Sequence, residues 1–302
     1  MKKNINKKEE NFIRKTKEEK EISISYIADE IINKRLTIFV GAGCSISAGL
    51  PSWGDLIHDI RKESKIKTFE KDLLMIATLL EKKIGYLPFR EKIISRLKKF
   101  PSSTTIHQSL AKLDVNLFIT TNYDHLLEDV FHEEGIIPGI IIHDKDIPTI
   151  NPTVKTIVKL HGDIDSATSI IISSIDYHKY ALQHSSFADW LNSKVVQNSI
   201  FFIGTSFTDK RLKDADNYVL KRFGKFRRPP CIVLKMPTHK EVISEKDHEN
   251  YKVEFEDFEI LYEEFRSRGF HIIVVKNYEE ICEILEKIND LVLKKQLQEN
   301  PE

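Results

Sequence analysis

The chain has 302 residues, and its 46 Lys plus Arg balance 46 Asp plus Glu to a formal net charge of zero. That balance gives no global reason to expect nucleic acid or an acidic membrane surface as a partner. The length can bury a substantial core, and no apolar run approaches the ~20 residues that span a bilayer. Three scattered cysteines, Cys44, Cys231 and Cys282, form no Cys-x-x-Cys pair. Such a set argues against a disulfide framework or zinc knuckle and for a reducing compartment, most simply the cytoplasm.

Residues 1–22 alternate lysine with glutamate and hold no apolar stretch or small-residue cleavage site. They read as a charged N-terminal arm, solvated, frayed-helical or a basic docking segment, and not as a secretory signal. Six continuously apolar runs follow: "LTIFV" (36–40), "NLFIT" (116–120), "TIVKL" (156–160), "SIFFI" (199–203), "CIVLK" (231–235) and "HIIVV" (271–275). Unbroken apolar runs suit strands covered on both faces of a parallel sheet. Helical patterns lie between them. In "VEFEDFEILYEEFRSRG", Phe255, Phe258, Leu261, Tyr262 and Phe265 recur at three- and four-residue steps, with Gly269 at the C-cap position. The alternation predicts an α/β fold, a mostly parallel six-stranded sheet with helices on both faces. Residues 55–113 and 174–198 break the alternation as consecutive helices, predicting a helical insertion module over the sheet's carboxyl edge. Ile281, Ile284, Leu285, Ile288 and Leu291 mark a closing helix. One domain is expected over 23–290, with a tail at 291–302.

Open α/β sheets bind ligands beyond the carboxyl ends of their strands, so the residues closing each run are the informative ones. The first run closes on Gly41-Ala42-Gly43-Cys44-Ser45 and the second on Thr121-Asn122-Tyr123-Asp124. His161-Gly162-Asp163 closes the third, Gly204-Thr205-Ser206 the fourth, and Lys276-Asn277-Tyr278 the sixth. The glycine turn suits either a phosphate grip or a plain tight corner. No Gly-Lys-Ser/Thr follows it, which excludes a Walker A loop, and Ile46 stands where a dinucleotide fingerprint has its third glycine. Asn122 or Asp124 could cap the following helix; alternatively Asn122 could hold a ribose hydroxyl or position a water. His161 could be a core histidine or a base working near neutral pH. Thr205 and Ser206 could open a helix capped by Asp209, or donate hydroxyls to a phosphate or ribose.

Together these elements resemble the sirtuin superfamily. "GAGCSISAGLPSW" is similar to its GAG-x-S…SG-hydrophobic-Pro element, "TTNYD" to its Thr-Gln-Asn-hydrophobic-Asp, His161-Gly162 to its catalytic His-Gly, and Gly204-Thr205-Ser206 to its Gly-Thr-Ser. All four occur in the family order and cover roughly residues 30 to 280. The resemblance implies a Rossmann-like domain that binds NAD. Two departures narrow it. The Cys-x-x-Cys pairs of the deacetylases' zinc ribbon are missing, and Ser52-Trp53 replaces their Phe-Arg. "TTNYD", "KLHGD" and "GTSFTD" resemble instead the sirtuin-like NAD-hydrolysing domains of bacterial anti-phage defence, including that of the Thoeris effector. On that resemblance the chain ends where the effector continues into a ligand-sensing domain.

The resemblance implies hydrolysis of the nicotinamide–ribose bond of NAD, without a metal, in a defence that depletes the infected cell's NAD. Asn122 and His161 would be catalytic. Gly41, Ala42, Gly43 and Ser45 would hold the pyrophosphate and Gly204, Thr205 and Ser206 the adenosine side, with Trp53, Asp124 and Asn277 completing the NAD contacts. Two other readings remain open: a zinc-free deacylase or ADP-ribosyltransferase, and a module that senses NAD or ADP-ribose without cleaving it. Expected partners are a second copy of the chain or a separate sensor, ATPase or Argonaute, with no membrane and no direct nucleic-acid contact.

Overall fold

A computed structural model describes residues 2–98, 104–183, 185–205, 210–237 and 245–299. In chain order the first half runs α1 (Lys2–Ile32), β1 (Leu36–Val40), α2 (Ala42–Ser47), α3 (Trp53–Glu63), α4 (Leu73–Ile84), α5 (Tyr86–Leu97), α6 (Thr105–Ala111), β2 (Leu117–Thr120) and α7 (Leu126–Glu133). The second half runs β3 (Gly139–Ile141), β4 (Thr156–Lys159), α8 (Ser174–Gln183), α9 (Ser185–Gln197), β5 (Ser199–Ile203), α10 (Lys210–Phe223), β6 (Cys231–Lys235), α11 (Glu245–Ser267), β7 (His271–Val275) and α12 (Glu279–Glu299). No helix among the described residues is long and apolar enough to cross a membrane.

The strands form one parallel sheet in the order β3-β4-β2-β1-β5-β6-β7. Each of the six apolar runs supplies a strand. The sheet has seven strands where six were expected; the seventh, β3, is a three-residue edge strand beside Pro138, too short to register as an apolar run. Side chains alternate strictly across the sheet. Ile38, Val40, Phe118, Ile157, Phe201 and Val233 face one core cluster, with α6, α7 and α12. Phe39, Ile119, Val158, Phe202 and Ile232 face the other, with α9 and α11. Both faces are covered, which is why the strands read as unbroken apolar runs.

Residues 1–22, read as a charged arm that is solvated, frayed-helical or a docking segment, fall largely within the 31-residue helix α1, which packs along the edge strand β7. Ile24, Ile27, Ala28 and Ile31 enter one cluster, while Phe12 enters the other among Phe255, Phe258 and Tyr262. The helix thus straddles the sheet's edge and shields β7 from further strand pairing. Helices α3 to α5 form a third apolar cluster with Ile164, Ile170 and Ile172 of the segment after β4. They therefore lie over the carboxyl edge, where the helical module was expected.

Candidate active site

The chain leaves β1 to build β2, β4 and β3 on one side, then returns to place β5 on the other. Strand order therefore reverses at β1, the point where α/β sheets open a ligand crevice. The four loops with distinctive residues close β4, β2, β1 and β5, four consecutive strands. The sheet itself gathers them.

At the centre, two loops meet backbone to backbone. The Gly43 N–H donates to the Gly204 carbonyl at 2.7 Å and the Gly41 N–H to that of Ile203 at 2.8 Å. A Cβ on Gly43 would lie 2.8 Å from the Gly204 oxygen, and one on Gly41 2.5 Å from the same atom. Gly204 has φ +68, and a side chain there would meet Cys44 at 2.6 Å. The glycines are thus required by contact between the loops. Ala42 is exposed beside them, and Thr205 packs against Gly41. Ser206 and Asp209 lie outside the described residues.

The loop after β2 locks onto this turn. Thr120 Oγ1 donates to the Val40 carbonyl at 2.8 Å and accepts from the Asn122 N–H at 2.9 Å. The Asn122 amide nitrogen donates to the Gly41 carbonyl at 3.2 Å and to Ser45 Oγ at 2.9 Å. Ser45 in turn donates to Asp124 Oδ2 at 2.8 Å. The Gly41 carbonyl can only accept, so the amide's orientation is fixed by chemistry. Asn122 is buried, and its Oδ1 has no hydrogen-bond partner among the described residues. Asp124 Oδ1 accepts the Leu126 N–H at 3.2 Å, so the carboxylate also serves the start of α7.

His161 is buried at the end of β4 between two tyrosines. Tyr177 Oη of α8 lies 3.3 Å from its Nε2, and the Tyr123 ring centroid lies 6.3 Å from its own. Gly162 follows with φ +91; a Cβ there would come within 2.1 Å of the Ser169 oxygen, so the turn after the histidine admits only glycine. Trp53 packs half-buried on the cluster of α3 to α5, as does Tyr123. Asn277 stands at the end of β7, two strands beyond β5. It is exposed, and its Oδ1 caps α12 by accepting the Glu280 N–H at 3.0 Å.

Three residues absent from the sequence reading tie this site down. Lys159, fully buried on β4, donates to the carbonyls of Tyr123 at 3.1 Å and Asp124 at 2.8 Å. Its ammonium also reaches Glu128 at 2.8 Å and Asp163 at 2.5 Å. Burial opposes the lysine's charge, yet Glu128 and Asp163 outweigh it and raise its pKa. Burial also opposes the charge on Asp163, but hydrogen bonds from His125 and Lys159 hold that carboxyl far below the usual range. The bond to Asp163 raises the pKa of His125 against the effect of burial. His125, Glu128 and Asp163 could together ligate a metal ion, their nearest atoms lying within 4.8 Å of one another; here the Lys159 ammonium bonds both carboxylates. The second residue, Arg90 of α5, is fully buried and donates to Asp176 at 2.6 Å and Glu81 at 3.0 Å. Asp176 also caps the start of α8 by accepting from the N–H groups of Ile172 and Ser173. The helical module is thereby joined to the helix that carries the third residue, Tyr177. One signal was available: Lys159 is a lone charge inside the apolar run "TIVKL".

Fold and site define a Rossmann-like α/β protein whose carboxyl edge gathers an asparagine, a histidine and interlocked glycine loops. The chain matches the family described as SIR2-like domain over residues 116–261. It is 30% identical over 285 residues to NAD(+) hydrolase ThsA of Enterococcus faecium, covering 92% of this chain and 60% of that protein. A protein of the same name from Bacillus cereus (strain MSX-D12) is 29% identical over 279 residues, 89% of this chain and 57% of the relative. Defense-associated sirtuin 2 of Bacillus subtilis is 22% identical over 206 residues, 66% of this chain and 20% of that protein. The chain thus spans 57% to 60% of the length of the two hydrolases.

Proposed function

We propose that this chain hydrolyses NAD to nicotinamide and ADP-ribose as an effector of bacterial anti-phage defence that depletes the infected cell of NAD. The observation that carries the reading is Asn122. Both of its amide hydrogens are engaged by the protein, while its buried carbonyl oxygen is unpartnered among the described residues. An unpaired buried acceptor costs roughly 1–3 kcal/mol, and a ribose hydroxyl or attacking water would satisfy it. The names of the relatives support NAD as the substrate.

The bond between the anomeric carbon and the nicotinamide nitrogen breaks with its electron pair going to nitrogen, so the leaving group departs neutral and needs no strong acid. Positive charge develops on the ribose, as in glycoside hydrolysis. Water forms the new C–O bond, and His161 takes its proton. General-base assistance of this kind contributes about 10²–10⁴-fold. The Gly41 and Gly43 N–H groups are committed to β5, so the turn offers the pyrophosphate a close backbone surface rather than these two donors. Gly204, Thr205 and Ser206 would hold the adenosine side, and Trp53 and Asp124 would flank the nicotinamide end. Turnover would be gated, by self-assembly or by a separate defence partner, since free-running NAD loss harms the host cell.

Nicotinamide release by the purified chain tests the proposal. His161→Ala should cut it at least 100-fold while leaving folding intact. Release that appears only with an added acylated peptide would point to a deacylase instead.

A further inference from the structure

Lys159 ends β4 on the same face as Ile157, where the strand's alternation calls for an apolar side chain. Its four partners belong to three separate places. Tyr123 and Asp124 follow Asn122 directly, Glu128 lies on α7, and Asp163 is two residues past His161. The ammonium therefore sits between the two loops that carry the catalytic pair and pulls both toward one point. Stability alone does not call for this arrangement, because apolar side chains of similar volume commonly replace a buried ion network at no loss. An apolar side chain could not bind two carbonyls of one loop and a carboxylate of the other.

We propose that Lys159 is a positioning residue that sets the placement of Asn122 relative to His161, an inference resting on the NAD-hydrolase reading above. It bonds to neighbours of the two reacting side chains and acts on turnover through the loops. Its loss should lower kcat and leave NAD affinity nearly unchanged.

The test uses the full chain with Lys159→Arg, which keeps the charge but enlarges and flattens the head group, and with Lys159→Met/Glu128→Gln, which removes one charge of each sign. Nicotinamide release and calorimetric NAD binding are measured for each, alone and combined with His161→Ala. The expected result is a kcat lowered about tenfold for Lys159→Arg and about 100-fold for the double variant, with NAD affinity within threefold of the parent. With His161→Ala present, the same changes should add no further loss, because they act on the same step. A folded Lys159→Arg protein with parental kcat, or an equal further loss in the His161→Ala background, would overturn the inference. A parent chain that binds NAD but releases no nicotinamide overturns the hydrolase reading itself, and this inference with it. An active parent with equally active variants removes only the role of Lys159.

Discussion

Asn122 turns both amide hydrogens inward and leaves its buried oxygen unpartnered among the described residues, so its proposed role depends on being an amide. Asn122→Asp would remove both donors and set a carboxylate against the Gly41 carbonyl. Nicotinamide release should fall at least 100-fold in this variant, as it should in Asn122→Ala. At the turn, Gly43→Ala puts a methyl 2.8 Å from a backbone oxygen that cannot yield. Overpacking of this kind costs typically 1–3 kcal/mol, which a urea titration should register. A third residue links the site's surroundings to pH. His107 of α6 is fully buried, and neither ring nitrogen has a hydrogen-bond partner among the described residues. Burial, partly opposed by the charge of Asp124, lowers its pKa to about 4. In the unfolded chain the value is about 6.5, so between the two the unfolded state binds the extra proton. Stability should therefore fall as pH drops from 6.5 toward 4, by up to about 1.4 kcal/mol per unit. Above 6.5 the imidazole is neutral in both states and contributes no slope. His107→Leu should flatten the dependence measured by denaturant unfolding at stepped pH.

Among the elements, α1 and α5 owe their roles to contacts made far along the chain. The lysines and glutamates of α1 pair with α11 and α12, as Lys8 with Glu259, Lys15 with Glu263, and Glu21 with Lys287. Such exposed pairs are worth little individually; Phe12, packed among three aromatic rings, holds the helix. Phe12→Ala should cost roughly 3 kcal/mol, whereas Lys15→Ala should change stability by less than about 1 kcal/mol. In α5, Arg90→Met leaves Glu81 and Asp176 without their buried cation, a loss of about 3–5 kcal/mol measurable by thermal unfolding. The strands and the glycine, asparagine and histidine loops were legible because unbroken apolar runs and the residues that close them are local features. Lys159, Arg90 and Tyr177 were not legible as site residues, since their partners lie on other elements and only the folded chain brings them together. For the same reason the packing of residues 1–22 could not be read: their charges are periodic, and nothing local names the ion partners or the pocket for Phe12. Asn277 closes a strand as Asn122 does, and its Oδ1 caps α12, a bond that strand-end position alone does not announce.

At the scale of the whole molecule, one reversal of strand order at β1 places four chemically distinctive loops side by side, and a helical layer closes over them. The glycine loops interlock, Lys159 joins the asparagine and histidine loops, and Arg90 fastens the layer to the helix bearing Tyr177. A gated effector predicts that specific activity climbs steeply with protein concentration or on adding its defence partner; a flat profile for the pure chain would point to a constitutive enzyme. The central claim is cleavage of NAD at this crevice, and the most direct test quantifies nicotinamide and ADP-ribose from the purified chain at its highest attainable concentration, beside Asn122→Ala. The account predicts equimolar products from the parent chain, and at least 100-fold less from a variant that still binds NAD and unfolds at the same temperature. Equal product from both proteins, or NAD consumed only when an acylated peptide is added, would contradict it.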